Sequence, residues 1–130
     1  MTNFYGQFIG FGAGGGAVDP LGGFHGWGYQ FGFAHGGPTS SSTIDKISFS
    51  SDGDATGHGD LNEAKNRSGG QSSTTTGYSS GGYGSPNENI SKFAFASNTT
   101  ASDHGNISVG RRTPSGTSST THGFNASGNN

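Results

Sequence analysis

Five histidines are the side chains of this chain best suited to metal chemistry, and two of them recur at a fixed spacing. His58 and His104 lie 46 residues apart, and each precedes a glycine. Imidazole nitrogens bind zinc at about 2 Å, so a shared ion needs its ligands close together. Equivalent positions of two structural repeats are too far apart for that. We therefore predict no metal site, and we interpret both histidines as turn residues that hydrogen-bond to the backbone.

Four aspartates form an acidic cluster in the first half of the chain. Carboxylate oxygens are the ligands that calcium prefers in loop sites. Aspartate and asparagine also form turns, because their side chains bond to nearby backbone amides. Both a calcium site and a set of repeated turns remain open at this point for Asp45, Asp52, Asp54 and Asp60.

No arrangement of residues in the sequence indicates catalysis. The chain has no cysteine, and its many serines make any Ser/His/Asp coincidence uninformative. The glycine-rich stretch 10–16 has no strand pattern before it and no helix pattern after it, which a phosphate-binding loop requires. We predict that the protein is not an enzyme and uses no cofactor.

The composition limits the fold and the partners. Hydrophobic residues make up 26% of the chain, charged residues 11%, and the net charge is −2. One chain therefore cannot bury a large core, and no basic surface for nucleic acid is expected. No segment has the pattern of a signal peptide or of a membrane span. Because 12% of the residues are aromatic, we predict an ordered all-β protein assembled from several chains.

An internal repeat organises most of the chain. Residues 44–83 align without a gap on residues 90–129, with 14 of 40 positions identical. Since a repeat usually corresponds to one structural unit, we predict two domains. They are an assembly or anchoring segment at 1–27 and a repeat region at 28–130, the latter divided into a partial repeat 28–43, repeat one 44–89 and repeat two 90–130.

Apolar residues alternate with polar ones within each repeat. This period of two predicts half-buried strands, with Phe49 and Phe95 at equivalent buried positions. We expect the repeat core to consist of Ile44, Ile47, Phe49, Leu61, Tyr78, Ile90, Phe93, Phe95, Ile107 and Phe124.

The order of these pieces resembles the blade of a kelch-type β-propeller. A double glycine, Gly81-Gly82, precedes the apolar strand 90–95, which Ile107, Arg111 and the strand 118–124 follow. The tryptophan usual in such blades is absent from both repeats, since the single tryptophan is Trp27. The resemblance implies kelch-like β-propeller repeats of about 46 residues, completed by oligomerisation.

The sequence motif of the repeat resembles one found in structural proteins of marine bacteriophages, especially those that infect cyanobacteria. The matching pieces are Ile44-Asp45-Lys46, Phe49, Ser51-Asp52-Gly53, Ala55-Thr56, Gly59-Asp60-Leu61 and the segment 71–82. The second copy departs from this sequence motif at its turn, Asn98-Thr99-Thr100. The resemblance covers about residues 28–128 and implies a component of the virion.

Aromatic residues alternate with glycines near the N-terminus. Glycine lets backbones approach closely, and aromatic rings bury large areas on contact. We predict an assembly surface made of Phe4, Tyr5, Phe8, Phe11, Trp27, Tyr29, Phe31 and Phe33.

These observations favour a non-enzymatic virion protein, part of a tail fibre, knob or surface appendage, that acts in assembly and host-surface adhesion. Two alternatives remain open. One is a self-assembling subunit of an extracellular or cell-surface filament. The other is a carbohydrate-binding module that stacks sugars on Tyr78, Tyr83 and Phe124. The expected partners are other copies, favouring a trimer, other virion proteins and a host surface glycan, without nucleic acid or membrane insertion.

Overall fold

The computed structural model describes residues 31–35, 39–84, 86–119 and 121–130. Within these ranges the chain is all-β and has no helix, which confirms the fold class at that level. The strands are β1 (Phe31–His35), β2 (Ser41–Ser48), β3 (Thr56–Lys65), β4 (Gly69–Ser72), β5 (Thr76–Ser80), β6 (Asn89–Ala94), β7 (Ser102–Asn106), β8 (Ser115–Ser118) and β9 (Gly123–Ala126).

The strands form three antiparallel sheets in chain order. The first sheet is β1-β2-β3, the second is β4-β5-β6-β7, and the third is the hairpin β8-β9. Every connection joins neighbouring strands, so each sheet is a meander. None of the sheets built from the described residues is closed, and propeller closure stays a prediction.

The 46-residue period of the sequence is also the period of the strands. A shift of 46 residues takes β4 onto β8 residue for residue, and it takes the bridge between Asn66 and Tyr83 onto that between Arg112 and Asn129. The irregular pairing of β2 with β3 recurs between β6 and β7. Because a register change reverses which side chains face the core, this agreement fixes the same faces in both units.

Backbone conformation repeats even where the residues differ. Gly59 and Gly105, at the two irregular pairings, have φ of 103° and 109°. Arg67 and Thr113 have φ of 54° and 52°, in the left-handed region that a β-branched residue rarely adopts. The Thr113 amide donates to the Arg67 carbonyl at 2.9 Å, so the two equivalent turns are bonded to each other.

The core lies between the first and second sheets. Ile44 and Leu61 of the first sheet are 0% and 2% exposed, and they pack with Phe93 and Ala101, which follow in the second repeat. The half-buried rings of Phe33 and Phe95 pack against this cluster. The apolar residues of the repeat are therefore shared between consecutive sheets.

The expected burial of Phe49 is wrong. Phe49 is 61% exposed, Ile47 is 40% exposed and Phe124 is 52% exposed. Phe95, which is equivalent to Phe49, is covered because Phe33 of the preceding sheet stacks on it. No described sheet precedes the first one, so no ring among the described residues covers Phe49 as Phe33 covers Phe95. The remaining expected core residues, Tyr78, Ile90 and Ile107, are half-buried.

Candidate functional site

A groove of about 500 Å³ lies between the second sheet and the β8-β9 hairpin. We call it the open groove. Strand alternation and the turn after β7 bring apolar, aromatic and basic side chains from both sheets to its walls. The second sheet and its connections contribute Tyr78, Ile90, His104, Ile107 and Arg111, and the hairpin contributes His122 and Phe124.

Tyr78 and His104 form the aromatic wall of the open groove. Their rings lie 5.1 Å apart with a tilt of 58°. The Tyr78 hydroxyl accepts a hydrogen bond from the Thr76 hydroxyl at 3.1 Å, which fixes the end of the ring. Gly77 and Ser79 on either side of Tyr78 are buried, so the alternation of β5 separates the two faces of this sheet.

On the hairpin side, the rings of His122 and Phe124 lie 6.3 Å apart. The Thr121 hydroxyl is 2.8 Å from His122 Nδ1, and the His122 backbone amide donates to Ser119 Oγ at 3.0 Å. These contacts form the turn between β8 and β9. They leave an exposed aromatic surface beside the edge of β9.

A polar network joins the hairpin to the second sheet. Gln71 Nε2 donates to Asn125 Oδ1 at 2.6 Å, and Asn125 Nδ2 donates to Ser80 Oγ at 2.7 Å. Ser80 Oγ also lies 2.8 Å from Gln71 Oε1. Because these groups bond to one another, the network positions the hairpin and leaves few polar groups free for a ligand.

Arg111 is the one side chain with a permanent charge among the described residues that line the open groove. It is half-buried, and its Nη1 donates to the Ser127 carbonyl at 3.4 Å. The groove therefore combines an apolar wall with a single positive charge.

The space equivalent to the open groove, one repeat earlier, is filled with protein. Phe33 and His58 correspond to Tyr78 and His104, and their rings lie 4.8 Å apart. Phe95 stacks on Phe33 at 4.8 Å, and Phe93 lies 5.8 Å from Phe33. Side chains of β6 and the following turn thus occupy in the first interface the volume that is open in the second.

His58 is 1% exposed, and its Nε2 lies 2.8 Å from the Ala94 carbonyl oxygen across that filled interface. The expected hydrogen bond to the backbone is therefore present. The expected turn is wrong, because His58 lies in β3 and His104 lies in β7. A side chain in a strand can face a neighbouring sheet, and this explains its burial.

Lys65 is the buried charge of the filled interface, with 3% of its surface exposed. Its Nζ donates to Asn89 Oδ1 at 2.9 Å and to the Asn89 carbonyl at 3.0 Å. Burial lowers the pKa of Lys65 to about 8, although the carboxylates of Glu63 and Asp103 act in the opposite direction. Burial, and then the charge of Lys65, also lower the pKa of His35 from its ordinary value.

The described residues contain no group of three or more histidine, aspartate or glutamate side chains placed to hold a metal ion. Asp45 is half-buried in β2, and Asp52 and Asp54 are exposed in the following turn. Asp60 accepts a hydrogen bond from the Ser42 hydroxyl at 3.1 Å. The acidic cluster of the sequence is thus spread over one strand pair and its turn.

Most of the predicted assembly surface lies outside the described residues. Phe31 and Phe33 lie in β1, and Phe33 contributes to the core of its own chain. Of the three residues expected to stack sugars, Tyr78 and Phe124 line the open groove. Tyr83 lies elsewhere, with the Arg112 guanidinium 4.4 Å above its ring. The described residues include no helix long and apolar enough to cross a membrane.

Sequence reasoning did not assign His122, Arg111 or Asn125 to a site. The alignment of the repeats contains one relevant signal, since Arg111 aligns with Lys65. It does not show that a hairpin and a four-stranded sheet meet at these residues, because that contact depends on how the sheets pack.

Comparison of the chain with protein-family models and with curated proteins finds no match. The recurrence of strand pairing every 46 residues is therefore the structural ground for a functional proposal.

Proposed function

We propose that this chain is a non-enzymatic structural protein of a bacteriophage particle, part of a tail fibre, knob or surface appendage, that acts in assembly and host-surface adhesion. The observation that carries the proposal is the stack of equivalent strands, in which register, turns and positive φ angles recur every 46 residues. Repeats of this kind build extended surfaces for contact with partners.

Two further features support this proposal. The sequence motif of the repeat resembles that of virion proteins of marine phages. The outer strands and turns also expose serine, threonine and asparagine, which suit a surface that contacts other molecules in water. By contrast, the polar groups of the Gln71–Asn125 network bond to each other, which disfavours catalysis or sugar binding through them.

Adhesion can be tested with the purified chain on fluorescent beads. We expect the beads to adhere to at least one strain in a panel of marine cyanobacteria and other marine bacteria. Free chain should compete for the same cells, and beads coated with albumin should not adhere. If the beads adhere to none of the strains, the adhesive role is contradicted.

Gene neighbourhood separates the virion from the filament alternative. Flanking capsid and tail genes are expected, whereas flanking secretion or pilus genes would overturn the phage assignment. The carbohydrate-binding alternative predicts a glycan-array signal that disappears in Tyr78→Ala.

A further inference from the structure

The edge of β2 that carries β1 is also suited to β9. In the chain, Gly32 of β1 lies opposite Ile47, and Phe33 lies opposite Lys46. One repeat later, β5 presents Gly77 to Phe93 and Tyr78 to Lys92 of β6. Strand β9 has the same glycine-aromatic order at Gly123 and Phe124.

Strand β9 belongs to the two-stranded sheet β8-β9, which lacks the other two strands of a complete repeat. The complete second sheet has four strands, in which β4 and β5 precede β6 and β7. The hairpin β8-β9 reproduces the β4-β5 pairing, and no strand among the described residues pairs with the outer edge of β9. A free sheet edge offers unpaired backbone donors and acceptors to another strand.

The first sheet is incomplete in the complementary way. It contains β2 and β3, equivalent to β6 and β7, together with the single strand β1. No described strand lies on the outer side of β1, the position that β4 occupies beside β5. A pair made of β8-β9 and β2-β3 would therefore reproduce the complete four-stranded sheet.

The faces of these two partial sheets also match. Phe93 and Phe95 of the second repeat fill the first interface, and their equivalents Ile47 and Phe49 are exposed on the first sheet. Tyr78 and His104, the residues that Ile47 and Phe49 would contact, line the open groove. Their rings are arranged like those of Phe33 and His58 in the first interface. In the first interface the Phe93 ring lies over Gly77, where a Cβ would overlap with it. Gly123, the equivalent of Gly77, would lie opposite Ile47 in the joined sheet, where the Gln71 side chain is now the nearest neighbour, 3.0 Å from the position of a Cβ.

Charge complementarity points to the same pairing. In the first interface, Lys65 Nζ and Ser91 Oγ both bond to Asn89 Oδ1, at 2.9 Å and 3.1 Å. One repeat on, Arg111 takes the place of Lys65, and Asp45 of the incoming strand takes the place of Ser91. In the joined sheet a positive and a negative side chain would thus meet where the first interface has a lysine and a serine.

We propose that β9 of one copy replaces β1 on β2 of a second copy, so that β8-β9 and β2-β3 form one four-stranded sheet across the two chains. Strand β1 holds this position in the isolated chain. The exchange keeps the number of strand pairings, and it gains the burial of Ile47 and Phe49 in the open groove. The contact joins two different surfaces, so it is head-to-tail. The proposal rests on the proposed role in assembly.

Disulfide cross-linking tests this register, because the chain contains no native cysteine. The exchanged sheet places Phe124 of one chain opposite Lys46 of the next. We expect a mixture of Phe124→Cys chains and Lys46→Cys chains to oxidise mainly to a linked dimer with one chain of each kind. Each variant oxidised alone should stay largely monomeric, since a head-to-tail contact brings neither residue to its own copy.

The matched control is the double variant Tyr78→Cys with Lys92→Cys, which are opposite each other within the second sheet. It should close a bond inside one chain and so verify folding and oxidation. The pair Phe33→Cys with Lys46→Cys reports β1 in place on β2. Its intrachain bond should form in dilute protein and decrease as the concentration rises.

Failure of the mixed variants to link, while the Tyr78–Lys92 control closes, would overturn the exchange. Linked dimers of a single variant would overturn it too, because they require a symmetric contact. If cross-linking fails and the beads still adhere to cells, the proposed function stands without this interface. If cross-linking succeeds and adhesion is absent, the interface stands and the adhesive role fails.

Discussion

Lys65 brings an ammonium group into the interface between the first and second sheets, where burial lowers its pKa to about 8. In the unfolded chain a lysine keeps a pKa near 10.5. Between these two pH values the unfolded chain binds more protons than the folded one. The free energy of unfolding therefore rises with pH in this interval, by at most about 1.4 kcal/mol per pH unit. Urea unfolding at pH 7.5, 8.5 and 9.5 measures this slope.

The substitution Lys65→Met should remove this pH dependence, because methionine carries no proton in the range. Lys92→Met is the matched control, since Lys92 is half-buried in β6 and makes no bond to Asn89 like that of Lys65. We expect the control to keep the wild-type slope. Equal slopes in wild type and Lys65→Met would show that another group is responsible.

Single residues differ in how far the sequence predicts their environment. The burial of Ile44 and Leu61 follows from the alternation of apolar residues. The exposure of Phe49 does not, because the same alternation is buried in one repeat and open in the other. What decides it is the presence of a neighbouring sheet, and a local pattern carries no information about that.

At the scale of the strands, the stack depends on close approach of β4 and β8. The Ser72 amide donates to Ser118 Oγ at 2.9 Å, which joins two equivalent residues of consecutive repeats. A Cβ on Gly116 would overlap with the Gly70 carbonyl oxygen, a backbone atom that cannot move aside. Glycine at this position is therefore a requirement of the spacing between the strands.

We expect Gly116→Ala to lower the free energy of unfolding by about 1–3 kcal/mol, because the methyl group separates β4 from β8. Gly57→Ala is the control, since a Cβ there has no atom within 4 Å. Its effect should stay within about 0.5 kcal/mol. Thermal and urea unfolding of both variants give the comparison, and equal losses would contradict the role of the close approach.

Most of the strands could be predicted from the repeat and the alternation, but the expected strand 118–124 is wrong, because it spans the turn between β8 and β9. The apolar segments that begin with Ile44 and Ile90 lie in β2 and β6, and the Thr-rich segment 72–82 contains β5. Leu61, an expected core residue, is buried in β3. The open groove could not be predicted, because its walls come from two sheets whose packing leaves no periodic mark in the sequence.

For the whole molecule, the proposed assembly would make stability depend on concentration. The uncovered Ile47 and Phe49 and the open groove are expected to be buried only between copies. Binding that favours the folded state raises the unfolding temperature as protein concentration increases. We expect this rise in thermal scans from dilute to concentrated protein, with light scattering giving a trimer. A compact monomer with one unfolding temperature at every concentration would contradict it.

Removal of divalent ions should leave the fold intact. In the part of the chain that the structure describes, no three potential ligands converge on a point. We therefore expect the same unfolding temperature with and without EDTA. A fall in EDTA that added calcium reverses would instead indicate a calcium site among Asp45, Asp52, Asp54 and Asp60.

The recurrence of strand pairing every 46 residues has a consequence for how the gene of such a protein can change in length. The second sheet presents one face to the first sheet and the other to the β8-β9 hairpin, and the β4-β5 register recurs in β8-β9. Duplication or deletion of one 46-residue segment by unequal recombination therefore preserves the strand pairing on both sides of the join. A change of any other length shifts the strands out of register. The length of such a protein can thus vary in whole units while the pairing of its strands remains the same.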